Sequence, residues 1–87
     1  MEENYGLIRQ MRRCSSSIPA NIAEGCGRES DTEFKRFLII SQGSASELEY
    51  FTILAKDLKY MNYDDFSLIN DKVNKVRRSL NSLIHKL

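Results

Sequence analysis

Five apolar residues in the first third of the chain recur at the spacing of an α-helix. They are Leu7, Met11, Cys14, Ile18 and Ile22. Steps of four, three, four and four place them on one helix face, while the charged residues between them fall largely on other faces. The pattern predicts a first helix over residues 4–26. Gly25 and Gly27 are interpreted as its stop, because a helix end favours a residue that can adopt a positive φ.

Pro19 lies inside this predicted helix, where its missing N–H and its ring cost about 3 kcal/mol. Two interpretations follow: one helix kinked near Ser15, or a helix that ends before Ile18 and restarts with Ser17 as its N-cap. We favour the kinked helix. The hydroxyl groups of the serines at positions 15–17 are expected to satisfy backbone carbonyls near the kink.

A second helix is predicted over residues 31–60. Ser30 and Glu33 have the spacing of a capping box, which marks its start. Its inner seam consists of Phe34, Leu38, Ser41, Ala45, Leu48, Thr52, Ala55 and Leu58. Gly43 costs about 1 kcal/mol in a helix relative to alanine. We therefore expect another helix to approach closely at the small residues 43–46.

A third helix is predicted over residues 63–86, with Asn62 as N-cap and two aspartates in its first turn. Its seam consists of Phe66, Ile69, Val73, Val76, Leu80, Leu83 and Leu87. Alternating steps of three and four are typical of a helical bundle or coiled coil. Three long helices with short connections predict an all-α fold, an antiparallel up-down bundle of the four-helix-bundle type.

Several short motifs in residues 5–51 resemble those of the ribosomal-RNA intervening-sequence proteins, a bacterial family of four-helix bundles. They are Gly6-Leu7, Gln10 to Arg13, Ser17 to Gly25, Phe37-Leu38, Gly43-Ser44 and Glu47 to Glu49. By this resemblance Pro19, Asn21, Glu24 and Gly25 belong to a structural motif. Members usually carry another helix before this segment, and only residues 1–4 precede it here. The resemblance implies that the usual first helix is missing, through a late start or because a neighbouring subunit replaces it.

Length and composition limit the class of protein. A chain of 87 residues fits one domain, residues 1–87. A net charge of +1 produces no strong overall field for nucleic acid. No apolar run approaches the about 18 residues of a membrane span, so we expect a cytoplasmic protein without a membrane partner. Cys14 is interpreted as a small core residue and Cys26 as an ordinary loop thiol.

No group of residues has the spacing of an active site. The serines at positions 15–17 have no histidine at helical spacing, and His85 is expected to be a solvated residue near the end of a helix. Glu47 and Glu49 point to different helix faces and do not form an acid–base pair. The sequence therefore predicts a non-enzyme with no catalytic residue, cofactor, metal site or small-molecule substrate.

Two arrangements of charged residues are candidates for a role. Glu47 is expected to meet Arg12 or Arg13 across the antiparallel helix pair, as a partly buried ion pair that fixes register. The second arrangement is a basic set near the first connection. It consists of Arg9, Arg12, Arg13, Arg28, Lys35 and Arg36. Such cations attract phosphates, above all when an oligomer repeats them; the alternative interpretation is a solvated surface.

The resemblance also implies partners. Relatives are encoded within intervening sequences of large-subunit ribosomal-RNA genes or stand alone. The similar accessory variability determinant of diversity-generating retroelements forms a pentameric barrel that binds nucleic acid. We therefore expect a non-enzymatic homo-oligomer, a pentamer by resemblance, that associates with RNA or a ribonucleoprotein. The alternative is a protein–protein assembly module without nucleic-acid binding.

Overall fold

The computed structural model describes residues 2–87, with side chains from Asn4 onwards. It contains three helices: α1 (Glu2–Cys26), α2 (Asp31–Asp57) and α3 (Tyr63–Lys86). Successive helices run antiparallel, and no strand occurs in residues 2–87. The predicted all-α, bundle-like fold is therefore confirmed.

Helix α1 continues through Pro19 without a break. The interpretation as one helix is therefore correct, and the alternative of two helices is wrong. The expected role of the serines differs in detail. The hydroxyl groups of Ser15 and Ser16 donate to the carbonyl oxygens of Met11 and Arg12, at 2.8 and 2.9 Å. They bond to the turn before Pro19 because a serine in a helix reaches the carbonyl four residues back.

Gly25 is the last buried residue of α1, and its role as a flexible helix stop is not confirmed. No glycine among the described residues has a positive φ. A Cβ atom built on Gly25 would lie 2.9 Å from Phe34 Cδ1 and 2.9 Å from Phe37 Cβ. The hairpin between α1 and α2 therefore requires glycine here for close packing of the first two turns of α2.

Helix α2 begins and ends with recognisable caps. Ser30 Oγ accepts from the backbone N–H of Glu33 at 3.1 Å, as predicted. The helix ends at Asp57, three residues before the predicted end. Lys59 has a φ of 64°, and the N–H groups of Lys59 and Tyr60 donate back to Lys56 O and Ala55 O. This is the Schellman geometry, which usually takes a glycine at the left-handed position.

Gly43 lies on the exposed side of α2, and no other helix of the described chain approaches it, so the close approach expected at residues 43–46 occurs at Ser44 and Ala45 only. A Cβ atom built there would have no atom within 4 Å. The small residues that do pack against α1 are Ser41, Ser44 and Ala45, all buried. The predicted seam of α2 is buried from Leu38 to Ala55, so the sequence pattern located both the small-residue segment and the packed face of α2.

Helix α2 lies between the other two helices and packs against both, whereas α1 and α3 have no Cα atoms within 8 Å of each other in the described chain. Cys14, Leu48 and Val73 form the core, one from each helix. Two open apolar depressions lie along the outer helices and are here together called the α1–α3 groove. One is lined by Ile8 and Met11 of α1 and by Met61, and the other by Ile22 of α1 and by Val76 and Leu83 of α3.

Candidate nucleic-acid interface

Polar side chains of the Ser17 to Gly25 motif connect α1 with α2. Asn21 Nδ2 donates to Ser17 O and Oγ at 2.9 and 3.0 Å, and Ser44 Oγ lies 2.8 Å from Ser17 Oγ. Ser41 Oγ donates to Ile18 O at 2.8 Å, and Ser41 is fully buried. Pro19 is exposed on the opposite side of α1. This motif therefore builds the contact between α1 and α2.

Glu47 meets Arg13, one of the two predicted partners. Glu47 Oε2 accepts from Arg13 Nη2 at 2.9 Å, and Gln10 Oε1 accepts from Arg13 Nε at 3.0 Å. The hydrogen bond to Glu47 raises the pKa of the Arg13 guanidinium. About half of each side chain is exposed, 53% and 52%, so the expected partial burial of this pair is wrong. Water screens such a pair, so it contributes little to stability.

Arg28 and Arg36 bracket the first connection, and both carry a carboxylate neighbour. Arg28 Nη2 lies 2.6 Å from Glu24 Oε1, and Arg36 Nη1 lies 3.5 Å from Glu33 Oε2. Both guanidinium groups also lie over the Phe37 ring, at 4.9 and 5.3 Å from its centroid. These contacts reduce the positive charge that the two arginines present to an external phosphate.

Arg9, Arg12 and Lys35 have no ion pair with any carboxylate whose side chain the structure describes. Arg9 lies over the Tyr5 ring, 5.0 Å from its centroid, and Arg12 lines the α1–α3 groove. Arg12 lies 14 positions, about 21 Å of helix rise, before the end of α1 at Cys26, and Arg28 follows that end. The structure therefore divides the predicted basic set into two groups at different heights of the hairpin.

Helix α3 carries a basic surface that the sequence analysis did not include in the candidate site. We call it the α3 basic stripe, and it consists of Lys72, Lys75, Ser79, Ser82 and Lys86, all exposed. Steps of three and four keep these residues on one helix face, and Lys75 lines the α1–α3 groove. None of the lysines pairs with a described carboxylate. The same periodicity that located the apolar seam could have located this stripe.

The contact between α2 and α3 uses a second, less exposed ion pair. Arg77 Nη1 lies 2.6 Å from Glu49 Oε1, with exposed fractions of 35% and 24%. Gln42 Nε2 donates to Arg77 O at 3.1 Å. Gln42 Oε1 and Arg77 Nε are buried without a partner. Glu47 and Glu49 thus face α1 and α3 respectively, as their spacing of two predicts.

The described residues contain neither a cluster of metal ligands nor a membrane-spanning helix. No three His, Cys, Asp or Glu side chains among them are close enough to hold a metal ion. No helix in this part of the chain has the length and apolar character needed to cross a membrane. Burial raises the pKa of the Cys14 thiol, which keeps it a neutral core group.

The sequence and the three-helix fold are similar to those of known proteins. The sequence profile of the 23S rRNA-intervening sequence protein family matches residues 1–82. Among proteins with curated functions, none matches significantly. A 1.70 Å crystal structure from Bacteroides thetaiotaomicron VPI-5482, of a protein with unknown function from the S23 ribosomal protein family, superposes with a TM-score of 0.88. It is 29% identical, and the match covers 90% of this chain and 72% of that chain.

Proposed function

The chain belongs to the 23S rRNA-intervening sequence protein family, and from that premise we propose that it is a non-enzymatic, self-associating, cytoplasmic protein that binds RNA through phosphate contacts. The α3 basic stripe is the observation that carries the proposal. It presents three lysines without described carboxylate partners, with two serine hydroxyl groups between them. Lysine and serine side chains are common donors to phosphate oxygens.

The position of the stripe beside the α1–α3 groove extends the proposed surface. Lys75 lines the groove from α3, and Arg12 lines it from α1. The residues that line these two depressions include no carboxylate. A nucleic-acid backbone that follows this face would meet cations from both outer helices. Recognition of this kind depends on charge and shape and is independent of base sequence.

Self-association is the second part of the proposal. Large apolar side chains remain exposed in the single chain, and Ile8, Val76 and Leu83 of the α1–α3 groove are 40%, 37% and 37% exposed. Contiguous apolar surfaces of this kind favour a partner. Several copies would repeat a weak cationic surface and strengthen phosphate binding by avidity. Five copies, the number implied by resemblance to the accessory variability determinant, is an expectation that mass in solution tests.

A salt titration of binding to a structured RNA hairpin tests the RNA-binding part. We expect the logarithm of the association constant to fall linearly with the logarithm of salt, with a slope of about −0.7 to −0.9 per phosphate contacted. Replacing Lys72, Lys75 and Lys86 by glutamine should flatten the slope by about one per lysine. Replacing Arg28, Lys35 and Arg36 by glutamine is the matched control and should change it less.

The open apolar groove also favours a second candidate function, a protein–protein assembly module. That function predicts no RNA binding at low salt and no difference between the two triple variants. RNA binding that persists unchanged through high salt would contradict the phosphate mechanism. A larger loss in the control variant than in the α3 variant would move the site to the first connection.

A further inference from the structure

A polar cleft lies between α2 and α3. Its volume is about 380 Å³, and it is lined by Gln42 of α2 and by Asn74, Arg77, Arg78 and Asn81 of α3. Each of these side chains ends in an amide or a guanidinium group. None of the five residues belongs to the α1–α3 groove or to the α3 basic stripe. The cleft is therefore a separate site that offers both hydrogen-bond donors and acceptors.

Contacts between α2 and α3 hold one wall of the cleft. Arg77 Nη1 lies 2.6 Å from Glu49 Oε1, and Arg77 O accepts from Gln42 Nε2 at 3.1 Å. Because a carbonyl oxygen can only accept, the amide nitrogen of Gln42 must face it, and this fixes the orientation of the amide. The helix pairing therefore positions Gln42 and Arg77 before any ligand arrives.

The other wall consists of side chains that are open to a ligand. Arg78 and Asn81 are exposed, and neither side chain has a hydrogen bond or an ion pair with a described residue. Asn74 Nδ2 donates to Asn70 O at 2.8 Å, so Asn74 Oδ1 remains as an acceptor. Positions 74, 78 and 81 share one face of α3. This wall thus places a planar guanidinium between two amides.

We propose that this cleft binds an unpaired guanine base of RNA. The inference rests on the proposed RNA binding and deepens it by naming a base. The guanidinium of Arg78 matches the adjacent O6 and N7 acceptors of guanine, the commonest specific contact between a side chain and a base. The amide oxygens of Asn74 and Asn81 are acceptors for the N1–H and N2–H groups of the same base. Single-stranded loops expose these edges, whereas the deep major groove of an RNA helix hides its own.

Charge and hydrogen bonding favour a base over a phosphate in this cleft. Glu49 neutralises Arg77 and keeps a carboxylate beside the cleft, so an anion gains less there than at the α3 basic stripe. Gln42 Oε1, an acceptor, and Arg77 Nε, a donor, are buried without partners, which is costly. A base edge offers both donors and acceptors to these side chains when they move to meet it. A phosphate diester offers acceptors alone.

Binding of matched RNA hairpins tests the guanine site. The hairpins share one stem and a loop of adenosines, in which a single guanosine replaces each loop position in turn. At the position that reaches the cleft, guanosine should tighten binding by about tenfold at fixed salt, as a good bidentate contact does. Arg78→Lys should abolish this preference and keep the salt slope, because lysine retains the charge but lacks the planar fork. Lys75→Arg, an equally conservative change on the α3 basic stripe, should keep the preference.

A modified base separates contact with guanine from contact with phosphate. In the wild-type chain 7-deazaguanosine, which lacks the N7 acceptor, should lose most of the preference, and in Arg78→Lys it should lose nothing further. Equal binding of all hairpins with an intact salt slope would overturn the guanine site and leave the proposed RNA binding standing. A preference that survives Arg78→Lys would also overturn it. Absence of RNA binding at low salt would contradict the proposed function itself, and this inference with it.

Discussion

Gly25 of α1 packs directly against Phe37 of α2, so that a Cβ atom on Gly25 would lie 2.9 Å from Phe37 Cβ. Real Cβ atoms do not approach so closely. Because the opposing atom is itself at the base of a side chain, it cannot move without the backbone of α2. The two helices of the hairpin therefore approach each other at a distance that only glycine permits.

Two glycine substitutions should have opposite effects on stability. Gly25→Ala should destabilise the fold by about 1–2 kcal/mol, because overpacking outweighs the gain in helix propensity. Gly43→Ala should stabilise the monomer by about 1 kcal/mol, because its Cβ enters open space. Chemical denaturation of both variants under conditions where the protein is monomeric measures the difference. Equal effects of one sign would contradict the packing described for Gly25.

Neutralising Glu49 or Glu47 should destabilise the fold, and the loss should be larger for the less exposed glutamate, Glu49. Glu49→Gln removes the partner of Arg77, whose Nε is already buried without a partner, and should cost about 1–3 kcal/mol. Glu47→Gln, the control, breaks a pair that is half exposed and should change the melting temperature little. Thermal melts monitored by circular dichroism give both values. A larger loss for Glu47 would show that the Arg13 pair is shielded from water.

Lys59→Gly should stabilise the chain by about 0.5–1 kcal/mol. Lys59 has a φ of 64°, a conformation that costs an ordinary residue about 1 kcal/mol and glycine almost nothing. The greater freedom of glycine in the unfolded chain offsets part of the gain. Urea denaturation measures the effect, with Lys72→Gly on exposed α3 as a control that should destabilise. A loss of stability at Lys59 would contradict the left-handed geometry.

The two cysteines should differ in reactivity. Cys26 is exposed and Cys14 is buried, so a thiol reagent should label Cys26 at once and Cys14 only after unfolding. In Cys26→Ser protein only Cys14 can react, and mass spectrometry measures how fast it is labelled. Rapid labelling of Cys14 in folded Cys26→Ser would contradict its place in the core.

Burial of Cys14 also predicts a direction of pH dependence. Its pKa is raised in the folded chain, so the unfolded thiol ionises first as the pH rises, and ionisation then favours unfolding. The stability that this neutral thiol contributes is fully present below the pKa of the unfolded thiol, about 8.5. Above that pH the contribution decreases. The fall in unfolding free energy above that pH should be smaller in Cys14→Ala.

Helical periodicity predicted the elements of the fold, because each helix buries one face at a spacing of 3.6 residues. The N-caps at Ser30 and Asn62 could be predicted from residue type and spacing. The ion pair of Glu47 could be predicted to within two adjacent arginines, of which Arg13 is the partner. The role of Gly25 could not, since a one-dimensional pattern does not show how closely two helices approach. That Gly43 faces away from α1 and α3 was not predicted, because a glycine carries no side chain whose character marks inside or outside.

The candidate basic set was less predictable. A carboxylate on the same helix face, such as Glu24 beside Arg28, competes with an external phosphate for the arginine. The spacing of four residues could have indicated this competition. Which cations share a surface depends on the relative height of α1 and α2, a quantity that three-dimensional packing determines. The α3 basic stripe was accessible from sequence, since Lys72, Lys75 and Lys86 fall on one face of a regular helix.

The central place of α2 has a kinetic consequence. No Cα atoms of α1 and α3 lie within 8 Å of each other in the described residues, so the close backbone contacts between helices all join elements adjacent along the chain. Because the contacts are local along the chain, closing the loops between them costs little entropy, so folding should be complete in microseconds to milliseconds. Amide protons of α2 should exchange most slowly, because either outer helix can detach while the remaining hairpin keeps α2 covered on one side.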